Sequence, residues 1–380
     1  MSKAEQLLKV GVVFGGMSAE HEVSWRSARN VVASLDPGRV EPVFLLIDKR
    51  GSWFLLKPEE FGSDEFLGRQ NRGLLPSERR VLLDPEPGRL GLILKGEKEV
   101  LHTLDVVFPL VHGPYGEDGT LQGLCKVYQV PFVGPGVTAS ANCMDKDVMK
   151  RLLLESKIPV PRFRVLGGRA WRQGPDLRPL VEEIGLPLFV KPANLGSSVG
   201  ISKVKSADRL PEALSLAFLF DDKVVIEEFI AGREIECSVL GNEAPIASLP
   251  GEIIPAGKHE FYSYDAKYRD DQGAELRVPA DLAPEVAARV QQLALRSFAA
   301  LGCEGMSRVD FFLREDGAVL VNELNTIPGF TNISMYPKLL EASGISNREL
   351  VHRLIELGLE RFQRESRHSC NWDAVLPSAG

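Results

Sequence analysis

Residues 9–14 (KVGVVF) form an unbroken apolar run that stops at Gly15-Gly16. Such a run predicts a strand buried on both faces and followed by a tight turn. Ser18 stands where it would cap a helix reaching about Leu35. A second strand follows at 40–47 and a third at 105–111, ending on His112-Gly113. A helix over about 119–128 and a strand over 130–133 come next. Strands alternating with helices predict an α/β domain over 1–140, built on a doubly wound parallel sheet. Residues 51–100 mix charges, turn residues and short apolar runs, and their order is not legible.

Beyond 140 the texture changes to paired strands. Asp145 is placed to cap a helix with Val148, Met149, Leu152 and Leu153 on one side, ended by Ile158-Pro159. Strands at 188–191 and 201–204 flank the Gly/Ser segment 194–200 (NLGSSVG), a hairpin with a flexible tip. Residues 223–230 and 234–240 read as further strands. Pro284 suits a helix's first turn, and Val286, Val290, Leu293 and Leu301 follow at helical spacing up to Gly302. Ser346 and Glu349 make a capping box before a last helix carrying Leu350, Leu354 and Leu357. The expected division is an N-terminal α/β domain (1–140), a central domain (141–229), a C-terminal domain (230–362) and a loose tail (363–380).

Composition narrows the function classes. A chain of 380 residues suggests two to three domains, and 44% hydrophobic residues suffice for packed cores. The 45 basic and 52 acidic side chains give a net charge of −7, and no basic block occurs, which argues against nucleic acid as a partner. Cysteines 125, 143, 237, 303 and 370 are odd in number and form no CxxC, so neither a disulfide framework nor a cysteine zinc site is expected, and a reducing cytoplasm fits. Lys3, Glu5 and Lys9 interrupt the start, so no signal peptide is expected. No 18-residue apolar stretch predicts a membrane span.

The chemistry begins with an acidic hairpin. Residues 308–314 and 318–323 flank Glu315-Asp316-Gly317, and Asp-Gly between apolar runs is a strong hairpin signal. If Asp316 and Gly317 form a two-residue loop, Asp310 faces Glu323 and Arg308 faces Asn325, all on one sheet face. Opposed carboxylates repel, so something must offset them. A hard divalent cation, Mg²⁺ before Ca²⁺, with Asn325 as a third oxygen ligand is one answer. Neutralisation by Arg308, or a register slipped by one residue, is the other.

The turn 196–200 (GSSVG) offers backbone N–H groups and hydroxyls of the kind that cradle phosphates, although it is no P-loop. Lys191 ends the preceding strand and Lys146 opens a helix, two cations that suit the same anion. Taken alone, each is an ordinary turn or surface lysine. Together with the acidic hairpin they point to a magnesium nucleotide. Residues 134–139 (GPGVTA) match the G-x-G-x-x-[GA] dinucleotide pattern, but the acidic residue it needs could only be Glu155, inside a helix. The stretch 251–279 is long for a connection and carries Tyr262, Tyr264, Lys267 and Tyr268, which fits a water-excluding lid or a packed surface loop.

These pieces resemble, in family order from about residue 9 to 362, the D-alanine–D-alanine ligases of the ATP-grasp superfamily. The matching stretches are 15–24 (GGMSAEHEVS), 112–120 (HGPYGEDGT), Met144-Asp145-Lys146, 191–200, Gly232-Arg233-Glu234, 264–268, Arg308-Val309-Asp310 and 322–329 (NELNTIPG). The resemblance implies a three-domain ATP-grasp fold that ligates two D-alanines with ATP for peptidoglycan precursors, with neither membrane nor nucleic acid as a partner, and paired as a homodimer through its first domain. Lys146 and Lys191 would hold the ATP phosphates beside Ser198 and Asn322. Glu227 would take the adenine amino group and Glu234 the ribose, with Glu228, Phe229 and Ile230 lining the base. Asp310, Glu323 and Asn325 would bind two Mg²⁺, with Mn²⁺ a possible substitute. Glu20 would hold the first D-alanine's ammonium, hydrogen-bonded with Ser197 and Tyr268, and Lys267 would reach the γ-phosphate. Arg308 and the Gly329 N–H would stabilise the oxyanion, and Ser334 and Met335 would meet the second D-alanine. His112 and Glu117 would neighbour the first substrate, His112 being the titratable candidate for the amine's proton. Trp25 stands where a smaller aliphatic residue is common in the family.

Three other readings stay open. A D-lactate or D-serine ligase shares the resemblance, although lactate-forming relatives carry histidine where Tyr268 stands. A Rossmann-type dehydrogenase would use 134–139. A non-catalytic nucleotide binder would use the glycine loop alone.

Overall fold

The computed structural model describes residues 7–66, 75–84, 90–255 and 274–368. Strand β1 (Leu8–Gly15) lies parallel to β2 (Val40–Ile47), and β3 (Trp53–Leu56) runs antiparallel on the outer side of β2. Within 51–100, the stretch whose order was not legible in sequence, β4 (Val81–Asp84) and β5 (Leu90–Leu94) form an antiparallel sheet with β6 (His102–Leu104). Strand β7 (Val106–Pro109) returns to β1 in parallel, giving the order β3-β2-β1-β7, and Phe132 adds a parallel bridge to Val107. Helices α1 (His21–Ala33) and α2 (Thr120–Val127) stand where the periodicity placed them.

Two local details differ from expectation. Ser18 does not cap α1; Glu20 occupies that position. The Ser18 hydroxyl instead donates to the His112 carbonyl (2.7 Å) and accepts the Glu20 N–H (3.2 Å), so it ties the β1 turn to the β7 turn. Trp25 is completely buried, edge-on to Phe14 (5.1 Å) and stacked on Phe61 (6.2 Å). Bulky aromatics on β1, β2 and the 58–61 turn thus form a box that the indole fills.

Helices α3 (Val137–Met144) and α4 (Lys146–Glu155) lead into the central region. Asp145 caps α4 as expected, accepting from the N–H groups of Asp147 (3.0 Å) and Val148 (3.1 Å). An antiparallel sheet follows in the order β10-β9-β11-β8: β8 (Phe163–Gly167), β9 (Leu188–Pro192), β10 (Ser202–Val204) and β11 (Lys223–Glu228). Helix α5 (Leu210–Ala217) covers it. The last sheet is also antiparallel, β15-β14-β12-β16-β17 with β13 beside β12. Its members are β12 (Gly232–Gly241), β13 (Ile246–Ala247), β14 (Gly251–Pro255), β15 (Ala274–Arg277), β16 (Gly305–Arg314) and β17 (Val319–Asn325).

Helix α6 (Pro284–Ala300) packs Val290, Leu293 and Phe298 under this sheet, and Gly302 follows it with φ +74°. Helices α7 (Met335–Ala342) and α8 (Asn347–Glu365) run back to the first sheet, so Val10, Phe14 and Phe108 share one core with Met306, Tyr336, Leu350 and Leu354. Buried Arg361 completes this junction: it stacks on Phe132 (4.2 Å) and donates to the carbonyls of Phe132 (2.7 Å) and Gly134. Gly134 is thereby closed off, abutting Gly305, so the first glycine of the 134–139 pattern is taken up by packing. Residues 369–380 lie outside the described residues.

Candidate active site

The acidic hairpin has the predicted face but a different turn. Arg308 pairs with Asn325 and Asp310 with Glu323, as expected, yet the loop holds three residues, Glu315, Asp316 and Gly317. Gly317 takes φ +82°, and the Asp316 carboxylate accepts the Ala318 N–H (3.1 Å), which favours the longer turn. A bulge between Asp310 and Phe311 leaves Asn322 as the extra residue and restores the register at the site. The bulge also aims Asn322, whose Oδ1 accepts from Lys191 Nζ (3.4 Å).

Strand β12 extends the acidic face. Glu236 lies opposite Asp310, so Glu236, Asp310 and Glu323 form one row across three strands. Arg308 is set into that row: its guanidinium grips Asp310 through two bonds of 2.7 Å and lies 3.0 Å from Glu236. Burial opposes its charge, but Asp310 and Glu236 outweigh that and hold it well above the usual arginine range. Asn325 Nδ2 donates to Asp310 (2.9 Å). Arg308 thus offsets two of the three carboxylates in the row, and Glu323 lies 3.5 Å from Lys146 instead. Among the described residues no group of three His, Cys, Asp or Glu side chains converges on a metal position. The donor set itself fits Mg²⁺: two opposed carboxylates, and an amide that presents oxygen when its terminal group is turned over.

A cleft of about 360 Å³ lies between the central and C-terminal sheets. Lys146, Lys191, Ser197, Ser198, Glu228, Phe229, Ile230, Glu234, Asp310, Asn322 and Glu323 line it. Ser197 (φ +53°) and Ser198 (φ +58°) both adopt the left-handed conformation, the pattern of a type I′ turn, which the Val199 N–H closes by donating to the Gly196 carbonyl (3.3 Å). Lys146 Nζ donates to the Leu195 carbonyl (2.6 Å) and lies 3.5 Å from Glu323. Glu227 stands apart from the other candidates: it is 1% exposed, behind the cleft wall, between Lys191 (2.7 Å) and Lys150 (2.6 Å). Burial raises its pKa, but the two lysines outweigh that and lower it. Glu228 is held by the Arg162 N–H (2.8 Å) and side chain (2.9 Å).

A second cavity of about 120 Å³ adjoins the cleft, and Gly196, Ser197, Glu236, Ile253 and Glu323 line both. Glu20, His112, Glu117, Arg308, Asn325, Gly329, Ser334 and Met335 complete it. Glu117 accepts the N–H groups of Gly113 (2.7 Å) and Ile327 (2.9 Å), which clamps the first domain to the end of β17. Burial, then the neighbouring Glu20, push its carboxyl up to about 8 despite those donors. His112 is buried with both ring nitrogens engaged: Nδ1 donates to the Ile327 carbonyl (2.9 Å) and Nε2 accepts from the Ser27 hydroxyl (3.1 Å). Burial holds its pKa below the usual range. A Cβ at Gly329 would lie 2.7 Å from Ser334 Oγ, so a side chain there would push that hydroxyl off its bonds with Thr331.

Lys267 and Tyr268 lie outside the described residues. Sequence reasoning missed Glu236, Lys150 and Ser27. Lys150 was detectable, being one helical turn from Lys146. Glu236 needed the pairing of β12 with β16, and Ser27 needed the approach of Phe330, whose N–H donates to it (3.1 Å).

Two antiparallel sheets holding a cation-lined cleft, with a parallel-sheet domain closing one end, define an ATP-grasp protein. Family models fit most of the chain: D-ala D-ala ligase N-terminus over residues 9–135 and D-ala D-ala ligase C-terminus over 152–356. The chain is 49% identical over 361 residues to D-alanine–D-alanine ligase A of Escherichia coli K12, covering 94% of this chain and 98% of that one. It is 47% identical over 369 residues to the D-alanine–D-alanine ligase of Oceanobacillus iheyensis, covering 94% and 97%. The solved D-alanine–D-alanine ligase of Coxiella burnetii superposes with a TM-score of 0.81 at 38% identity, covering 95% of this chain and 96% of the other. A D-Ala:D-Ser ligase from Enterococcus faecalis superposes at 0.79 with 33% identity, covering 93% and 100%. The chain belongs to the D-alanine–D-alanine ligase family.

Proposed function

We propose that the protein joins two D-alanines to D-alanyl-D-alanine, with ATP cleaved to ADP and phosphate, and so supplies a peptidoglycan precursor. The observation that carries this reading is the meeting of the two cavities at Ser197, Glu236 and Glu323. A nucleotide in the larger cleft would end there, where a small amino acid in the second cavity begins.

A carboxylate is a poor electrophile. Its oxygen attacks the γ-phosphorus of ATP, giving an acyl phosphate and ADP. The cationic Lys146 and Lys191, with the Ser197–Ser198 turn beside them, favour the polyphosphate in position. Asp310, Glu323 and Asn325 are the residues that would hold two Mg²⁺, or Mn²⁺, whose chemistry is to neutralise charge on the transferring group. Glu20 holds the ammonium of the first D-alanine. The second D-alanine then attacks the acyl carbon as the free amine, and phosphate leaves with the former carboxylate oxygen and takes up the proton that the nitrogen loses. Arg308 and the Gly329 N–H face the oxygen that becomes negative. Ser334 and Met335 border the second D-alanine. His112, with Nδ1 donating and Nε2 accepting, is held in one tautomer, so it positions the turn at Ile327 and offers no free base there. Water would hydrolyse the acyl phosphate, and the family resemblance assigns Lys267 and Tyr268, outside the described residues, to a lid that would exclude it.

Likeness to the family supports a homodimer paired through the first domain and a cytoplasmic location. No helix among the described residues is long and apolar enough to cross a membrane. ADP release compared among D-alanine, L-alanine, D-serine and D-lactate tests the proposal. D-alanine alone should give fast release with dipeptide formed. Ester from D-lactate at neutral pH with little dipeptide would overturn it in favour of the lactate ligase, and a preference for D-serine would assign the serine ligase.

A further inference from the structure

Behind the nucleotide cleft lies an ion cluster that the proposed chemistry does not use. Lys150 and Glu227 are each 1% exposed, and their charged ends lie 2.6 Å apart. Glu227 also binds Lys191 Nζ (2.7 Å), and Lys191 reaches across to Asn322 Oδ1 (3.4 Å) on the other sheet. Phe163 and Phe189 wall the cluster, with Lys150 Nζ 5.8 Å and Lys191 Nζ 5.5 Å from their ring centres. Only Lys191 lines the cleft; Lys150 and Glu227 do not.

Burying three charges is costly, and an apolar cluster of equal volume would hold α4 against β11 at least as well. The charge count explains what the cluster achieves. One carboxylate facing Lys191 alone would cancel it. One carboxylate shared by two lysines leaves a positive charge uncompensated, and Lys191 is the member that reaches the cleft. We propose that Lys150 is a positioning residue for the nucleotide: by sharing Glu227 it keeps the Lys191 charge available to a polyphosphate, without touching the nucleotide itself. The inference rests on the ATP reading of this cleft.

The readout is the ratio of adenosine Kd to ADP Kd, measured calorimetrically with Mg²⁺ on the intact protein. Adenosine reports the base and ribose contacts, and the ratio isolates the phosphates. Lys150→Met preserves volume and leaves Glu227 paired with Lys191, so the ratio should fall about tenfold, as expected for one unit charge removed near the phosphates in a partly screened site. Lys150→Arg should keep the wild-type ratio. Glu227→Gln, which frees both cations, should raise the ratio, so the test survives if Lys150→Met does not fold. An unchanged ratio in Lys150→Met, or in Glu227→Gln when Lys150→Met cannot be obtained, overturns the proposal and leaves Lys150 a packing residue. If the wild-type protein binds neither adenosine nor ADP, the ATP reading fails instead.

Discussion

Replacing Arg308 by lysine separates its two tasks. The guanidinium makes two bonds of 2.7 Å to Asp310 and lies 3.0 Å from Glu236, whose side chain is 6% exposed. Methionine would strand both carboxylates, a loss of about 3–5 kcal/mol that would confuse activity with folding. Lysine keeps the charge and loses the planar fork, so about one charge-assisted hydrogen bond is forfeited, roughly 1.5–3 kcal/mol of stability. The catalytic loss should match removal of an oxyanion donor, about 10²-fold in kcat. The KM for ATP should change by less than about threefold, because Lys146, Lys191, Phe229 and Ile230 line the cleft away from Arg308. Coupled ADP release gives the kinetic constants, and a urea transition monitored by tryptophan fluorescence gives stability. A kcat within about threefold of wild type, with the stability loss present, refutes the oxyanion role.

Asp310→Asn should abolish Mg²⁺-dependent ADP release while the fold survives, since Glu236 still faces Arg308; unchanged turnover would remove Asp310 from the metal set. Trp25→Ala should cost about 3–5 kcal/mol by urea denaturation and Trp25→Phe much less, because the buried indole nitrogen makes no hydrogen bond among the described residues; equal losses would contradict the aromatic-box account. Glu117 is raised from 4.5 to about 8, so its protonated form favours the fold: that contribution is full below about pH 4.5 and is lost as pH rises towards 8. The stability of wild type relative to Glu117→Gln should therefore fall across that window, and a flat difference would show that the two N–H donors keep Glu117 ionised throughout.

How much could be read from sequence depended on whether a signal was local. The apolar run at β1, the Asp145 cap and the Ser346 cap are local, and each matches its element. The hairpin shows a subtler case: the loop is one residue longer than expected, but the bulge at Asn322 offsets it, so Asp310 still meets Glu323. The row gains Glu236 only because β12, separated from β16 by some seventy residues of chain, lies beside it. Ser18 shows a local signal overridden: its hydroxyl is taken by the His112 carbonyl, on a turn distant in sequence. Within 51–100, β4 and β5 were illegible because these short strands pair only with each other and with β6, and carry no long periodic stripe. The Gly134 turn matched a dinucleotide pattern, and the side chain that closes it, Arg361, comes from the far end of the chain.

The central claim is that a carboxylate oxygen of the first D-alanine is transferred to phosphorus before the amine attacks. D-alanine labelled with ¹⁸O in its carboxylate, turned over with unlabelled ATP, Mg²⁺ and water, tests that claim directly by mass spectrometry of the inorganic phosphate. The account predicts one ¹⁸O in each phosphate released with dipeptide. Dipeptide formed with unlabelled phosphate would contradict it.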